Sequence, residues 1–278
     1  MFERMMKKWR HGFRTIFEEP RKIEKFPSFL KEEVSTALFQ IKNPGKRKIR
    51  IECKGVSCHF NLKDALIKEW FLPRYGDGSL HEPELTETIL EELSEGDVFY
   101  DIGANVGYFT TLAAETGADV FAFEMHPELK KSIESNLELN SLEAEIVQKA
   151  VSNSLETISF DLKVVPTVSS SGEGEVSVDT ITLDSFAENN PAPDIIKIDI
   201  EGYEEKALSG AEVLLADNPP RTIFVEVHPS KLEKLDSSPE EVLSYLENYE
   251  LLLLNSPQEE TVETPIEGNT TLVARLKD

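Results

Sequence analysis

Four short stretches of this chain hold side chains whose types and spacing could do chemistry. The first is VFYDIGANVGYFTTLA, residues 98–113, where Asp101, Gly103, Asn105 and Gly107 recur at every second position. The two glycines lack a Cβ, so the backbone can turn tightly and approach a ligand closely. Asn105 stands where a dinucleotide fingerprint G-x-G-x-x-G needs its second glycine. A pyrophosphate wants bare amides at a helix N-terminus. An acid and an asparagine in the turn suit a cationic ligand better. The second stretch, DVFAFE, ends in Glu124, which lies 17 residues after Gly107. A carboxylate at that strand end can accept both hydroxyls of a ribose. In the third, IIKIDIEG, a pleated strand would set Lys197, Asp199 and Glu201 on one face and Ile196, Ile198 and Ile200 on the other. Charges in a strand with apolar flanks are costly unless they are used or paired. Glu226 and His228 alternate in the same way at the end of the fourth, TIFVEVHP. Asp199, Glu201 and His228 are candidate general bases. Alternatively, Asp199, Glu226 and His228 hold a divalent metal, and Lys197 and an Asp form a structural pair.

These residues need a scaffold that brings strand ends together. Strands are expected at Val98–Ile102, Ala118–Phe123, Ala144–Val147, Ile195–Ile200, Arg221–Val227, Leu251–Leu254 and Thr271–Leu276. Helices are expected at Gly107–Thr116, Pro127–Asn140, Tyr203–Ala216 and Pro239–Glu247. A further helix starts at Glu82-Pro83-Glu84, with proline at its first turn. Strands alternating with helices argue for an α/β fold, a mostly parallel sheet covered on both faces. Residues 46–62 read as a β-hairpin turning near Gly55, and 164–175 as a Ser/Gly-rich loop. Asp217-Asn218-Pro219-Pro220 precedes a strand rather than following one and reads as a turn.

Taken together, DIGANVGYFT, VFAFEMHP, PDIIKIDIEGYEEKALSGA and TIFVEVHP resemble the FkbM family of S-adenosylmethionine-dependent methyltransferases. The likeness runs from about Glu82 to Val227. It implies a class I, Rossmann-like methyltransferase fold with a seven-stranded sheet and a small N-terminal extension. It implies methyl transfer from S-adenosylmethionine, usually to a hydroxyl of a sugar, glycan, glycolipid or other small molecule. By position, Asp101, Gly103, Ala104, Asn105, Gly107 and Phe109 would line the methionine and sulfonium end. Glu124 would hold the ribose, and Met125, Gln148 and Ala150 would flank the adenine. Lys197, Asp199 and Glu201 would lie beside the reacting methyl, with His228 on the next strand. The family commonly has Glu-Pro where this chain has Glu124-Met125-His126-Pro127, which alters the local loop.

The remaining readings concern setting and partners. The chain has 278 residues and a formal charge of −23. Residues 1–74 carry +9 and residues 75–278 carry −32. A body this acidic is not a nucleic-acid binder, because phosphate neutralisation needs clustered Lys and Arg. It suits instead a salt-rich cytoplasm, where screening removes self-repulsion. Residues 1–78 are expected to form a basic extension and 79–278 the methyltransferase domain. Within the extension, residues 2–17 read as a basic amphipathic helix that packs on the body, on a sister subunit in a homodimer, or on anionic lipid. Cys53 and Cys58 cannot make a disulfide framework or a redox CxxC and read as idle thiols. No apolar run approaches the ~20 residues that span a bilayer, so a cytoplasmic setting is expected. No dedicated metal site is expected beyond the alternative named above. The competing functions are a nicotinamide-dependent oxidoreductase and a binding protein that retains the fold.

Overall fold

The computed structural model describes residues 45–64, 67, 75, 78–161, 175–254, 262 and 265–277. The amphipathic helix expected at 2–17 and most of the expected loop at 164–175 lie outside them.

The described chain opens with a hairpin, β1 (Lys48–Cys53) and β2 (Val56–Asn61), paired antiparallel from Lys48↔Asn61 to Cys53↔Val56. Helix α1 (Pro83–Glu92) follows. Then come β3 (Val98–Ile102), α2 (Tyr108–Glu115), β4 (Asp119–Phe123), α3 (Pro127–Asn140) and β5 (Glu145–Val147). A small sheet is made of β6 (Ala150–Val151), β7 (Thr157–Asp161) and β8 (Glu175–Ile181). The chain continues through α4 (Leu183–Ala187), β9 (Ile195–Ile198), α5 (Glu204–Ser209), α6 (Glu212–Asp217) and β10 (Thr222–Val227). It closes with α7 (Pro229–Leu232), α8 (Pro239–Ser244), β11 (Tyr249–Leu253) and β12 (Thr270–Leu276).

The expected seven-stranded sheet is present, in the order β11-β12-β10-β9-β3-β4-β5. The β10-β9, β9-β3, β3-β4 and β4-β5 pairs are parallel, and only β12 runs antiparallel to its neighbours. Strand order reverses between β3 and β9, and in open α/β sheets ligands bind in the crevice at such a switch point.

Both faces of the sheet are covered, so its strands are apolar nearly throughout. Phe99, Val120, Ala122, Ile195 and Phe224 face a core built with the hairpin, α1, α2 and α3. Tyr100, Phe121, Phe123, Ile196, Ile198 and Val225 face a second core with α4, α5, α6 and α8. Tyr100, Phe121, Phe123 and Phe186 meet there mostly edge-to-face, with ring centroids 4.9–5.5 Å apart and only the Tyr100–Phe123 pair tilted. That geometry is favoured by the ring quadrupoles.

The hairpin belongs to the first core. Ile49, Ile51, Cys58 and Phe60 are buried in it, and Phe60 stacks on Tyr108 at 5.6 Å. Cys53 and Cys58 are buried and free, and burial pushes the Cys58 thiol up to about 12. The outer edge of β2 meets α3. The Asn140 side chain accepts the N–H of His59 and donates to its carbonyl, both at 2.7 Å. Asn136 accepts the N–H of Asn61 at 2.9 Å and donates to the carbonyl of Val106.

Two expected elements differ. The strand expected to reach Ile200 stops at Ile198, because the next residues turn: Glu201 (φ 58°) and Gly202 (φ 107°) adopt positive φ. The single helix expected at Tyr203–Ala216 is two helices, α5 and α6, separated at Gly210-Ala211. There the Gly210 carbonyl accepts the N–H of Asp184, and the Asp184 carboxylate accepts the N–H groups of Val213 and Leu214. Asp184 thus serves the amides that open α6 and fixes the break.

Candidate active site

Asp101 ends β3 and Lys197 lies directly opposite it on β9. Both side chains point to the first core, and both are buried. A charge cannot stay there unpaired. The Lys197 ammonium lies 3.3 Å from Asp101 Oδ1 and 3.7 Å from Asp199 Oδ2, and it donates to the Gly103 carbonyl at 3.3 Å. It also sits 5.2 Å from the centre of the Phe109 ring. Burial works against its charge, but the Asp101, Asp199 and Glu82 carboxylates outweigh that and raise its pKa. The other Asp101 oxygen accepts from Thr110 at 2.6 Å. Asp101 has no accessible surface; it holds Lys197 and the start of α2 from beneath the turn.

The turn above it is set by backbone conformation. Gly103 has φ +81°, and a Cβ there would fall inside the carbonyl oxygen of Asp199. The glycine is therefore required twice over, by its φ and by the close approach of the next loop. Asn105 also takes positive φ (53°), which asparagine tolerates better than most residues. Its N–H donates to Glu124 Oε2, and the N–H of His126 donates to Glu124 Oε1, each at 2.8 Å. Asn105 Oδ1 is buried and makes no hydrogen bond. Burial pushes the Glu124 carboxyl up to about 7, although the two amide bonds pull it down. Ala104 and Phe109 are buried around this turn, Met125 is half-buried, and Gln148 and Ala150 follow the end of β5 next to β4.

The second group lies across the switch point. Asp199 follows β9, Glu226 ends β10, and His228 follows it. Ligating atoms of these three lie within 4.8 Å of one another. His228 is buried and donates from Nδ1 to Glu204 at 2.9 Å. Glu204, fully buried, also accepts the N–H of Gly202. His228 Nε2 faces Glu226 at 3.4 Å and Glu201 at 3.5 Å. Burial depresses the His228 pKa, but the surrounding carboxylates, Glu204 foremost, raise it above its ordinary value. Burial, with Asp199 close by, pushes the Glu226 carboxyl up to about 7.

The expected face of three alternating charges is only partly present. Lys197 and Asp199 meet, but Glu201 leaves the pleat through its positive φ, is exposed, and pairs with Lys231 of α7. Four further residues of the site are not ones the motifs single out, although Glu204 lies within the third of them. Glu82, in the left-handed conformation before α1, is raised by burial and coupled to Lys197, Asp199 and His228. His81 beside it bonds Tyr75 at 2.5 Å and receives ring contacts from Tyr108 and Phe109. Glu204 and Lys231 complete the set. The sequence signal for Glu82 was present, an acid before a helix-starting proline, but it reads equally well as an ordinary cap.

Comparison with known proteins places this arrangement. Residues 101–251, more than half of the chain, match the family described as the methyltransferase FkbM domain. Hexuronic acid methyltransferase AglP of Haloferax volcanii is 30% identical over 152 residues, covering 53% of this chain and 62% of that protein. This chain therefore spans less than two thirds of that relative's length. A crystal structure of methyltransferase FkbM from Methylobacillus flagellatus KT aligns with 76% of this chain and 52% of its own, at 19% identity and a TM-score of 0.48. One of precorrin-6y C5,15-methyltransferase from Geobacter metallireducens GS-15 aligns with 70% of this chain and 88% of its own, at 14% identity and a TM-score of 0.41. On the family match, this chain belongs to the FkbM family of S-adenosylmethionine-dependent methyltransferases.

Proposed function

We propose that the chain methylates an oxygen of an acidic sugar, such as a hexuronic acid or a glycan or glycolipid that carries one. The observation that carries the reading is the contact between two loops at the switch point. The turn at Gly103 and the loop at Asp199 touch through their backbones, so a cofactor in the first faces an acceptor beside the second. The identity with a hexuronic acid methyltransferase supports the acceptor class.

The residues fit S-adenosylmethionine. Glu124 is a buried carboxylate whose oxygens each keep a lone pair for a ribose hydroxyl. Asn105 Oδ1, buried without a hydrogen bond, suits the amino group of the methionine part. When bound, the cofactor would supply an electrophilic methyl carbon with a neutral thioether as its leaving group. The protein's part is alignment and exclusion of water. Lys197 holds the Gly103 carbonyl and Asp199 together and is a positioning residue. Asp199 orients the acceptor oxygen. Where that oxygen is a hydroxyl, Glu201 at the rim takes its proton; where it is a carboxylate, no proton has to leave.

Two expected results follow. Purified protein with isotopically methyl-labelled S-adenosylmethionine should label glucuronic-acid-terminated acceptors and leave the matching neutral glucosides unlabelled. Asp199→Ala should lower turnover at least about 100-fold with cofactor affinity within twofold of wild type. Equal labelling of neutral and acidic acceptors would remove the acidic-sugar reading. Binding of NADH without S-adenosylmethionine, measured by calorimetry, would remove the methyltransferase reading itself.

Glu124 gives the pH dependence. Its carboxyl sits at about 7, and only the charged form accepts from both ribose hydroxyls. Cofactor binding should therefore be full above neutrality and weaken as pH falls through 7. The expected loss is about tenfold in affinity between pH 8 and pH 6. Calorimetry across that range should show the slope, and Glu124→Gln should flatten it.

A further inference from the structure

We propose that Asp199, Glu226 and His228 form a site for one divalent cation, through which the enzyme holds its acidic acceptor. The donor set is two carboxylates and an imidazole, which suits Mn²⁺ or Mg²⁺ on its oxygen side and Zn²⁺ on its nitrogen side. Their ligating atoms already lie within 4.8 Å of one another. Ligands about 2.1 Å from a metal stand about 3–4 Å apart, so small side-chain movements complete the shell.

A second observation points to a ligand there. The His228 side chain is 3% exposed, and its Nδ1 is committed to the buried carboxylate of Glu204. A carboxylate on the far ring nitrogen is the arrangement that fixes the tautomer and direction of a metal-ligating histidine. It leaves Nε2, which faces only carboxylate oxygens, as the atom a cation would take. Nε2 makes no hydrogen bond; its neighbours are carboxylate oxygens at 3.4 and 3.5 Å, beyond hydrogen-bond length. The imidazole of this buried side chain thus turns its Nε2 toward Glu226 and Glu201, with Asp199 in ligating range.

Charge makes the same demand. Asp199, Glu201, Glu226 and Glu82 bound the space, against Lys197 and Lys231, and both lysines are already paired, with Asp101 and Glu201 respectively. An acidic sugar entering it would be repelled. A cation held by three of these groups, with open positions toward solvent, would bridge protein and acceptor oxygens. That last step rests on the acidic-sugar reading; the site itself does not.

The test uses the full chain, stripped with chelator and titrated with Mn²⁺, with free ion read by electron paramagnetic resonance. S-adenosylhomocysteine binding is measured by calorimetry on the same sample. One saturable Mn²⁺ site is expected. Glu226→Gln and Glu204→Gln should each weaken it at least about tenfold while S-adenosylhomocysteine still binds. Stripped protein that binds S-adenosylhomocysteine but no Mn²⁺ would overturn the proposal. So would Mn²⁺ affinity unchanged in both Glu226→Gln and His228→Gln. Saturable Mn²⁺ binding, lost in those variants, in a protein that binds neither S-adenosylmethionine nor its product would uphold the site and overturn the methyltransferase reading.

Discussion

Gly103→Ala is expected to eliminate S-adenosylmethionine binding and to lower turnover at least about 100-fold, the loss that follows from about 1 Å of misplacement at a reacting centre. The added methyl group would occupy the position of the Asp199 carbonyl oxygen, and the backbone conformation, φ +81°, disfavours any side chain. Conformation alone costs roughly 1–2 kcal/mol. The larger effect is displacement. The Asp199 amide is tied to the Ile102 carbonyl at 3.0 Å, and the Gly103 and Ala104 amides both donate to the Phe123 carbonyl. Neither loop can yield without breaking ladder-like bonds at the carboxyl ends of β3 and β4. Circular dichroism should report a cooperative fold of reduced stability, and calorimetry should find no cofactor affinity. Wild-type affinity in this variant would mean that the turn is not the cofactor's seat.

The second large effect is expected from the buried pair. Asp101→Ala leaves the Lys197 ammonium buried with Asp199, 3.7 Å away, as its nearest carboxylate and Glu82 beyond it. Breaking a buried pair on one side costs about 3–5 kcal/mol. For a chain of this size that is roughly 10 °C in melting temperature. Asp101→Ala combined with Lys197→Met should recover most of the stability, because both fully buried charges are then gone and Asp199 is partly exposed. It should not recover cofactor binding or turnover, since the Gly103 carbonyl loses its donor and Asp199 its counter-charge. The cycle separates two roles. Recovery of activity along with stability would reduce the pair to scaffolding.

These outcomes rest on features that differ in how plainly the sequence shows them. The sheet was legible because buried strands such as Val98–Ile102 are continuous apolar runs between helical segments. Helix α3 was legible to the residue. Proline stands at its first position, and Ser141 ends it in the left-handed conformation. The break between α5 and α6 was not legible. The apolar spacing continues across it, and its cause is Asp184, about thirty residues earlier in the chain. In the site, Asp101, Asn105 and Glu124 stood out because a turn and two strand ends fix them locally. Glu82 and Glu204 did not. Glu82 is more than a hundred residues from Lys197 and Asp199, and Glu204 reads as a first-turn acid of a helix until His228 is seen to lie on it. The alternation of Lys197, Asp199 and Glu201 was legible as a pattern but misread in geometry, since nothing local signals that a non-glycine residue, Glu201, will turn out of the strand.

The contact between β2 and α3 bears on solubility. A two-stranded ribbon has an outer edge whose N–H and C=O groups can template pairing with another molecule. Here Asn140 satisfies both groups of His59 with a single side-chain amide, and Asn136 takes the amide of Asn61. The asparagines imitate a neighbouring strand without providing one that could be extended. This edge of the hairpin is thus closed by a helix against intermolecular β-pairing.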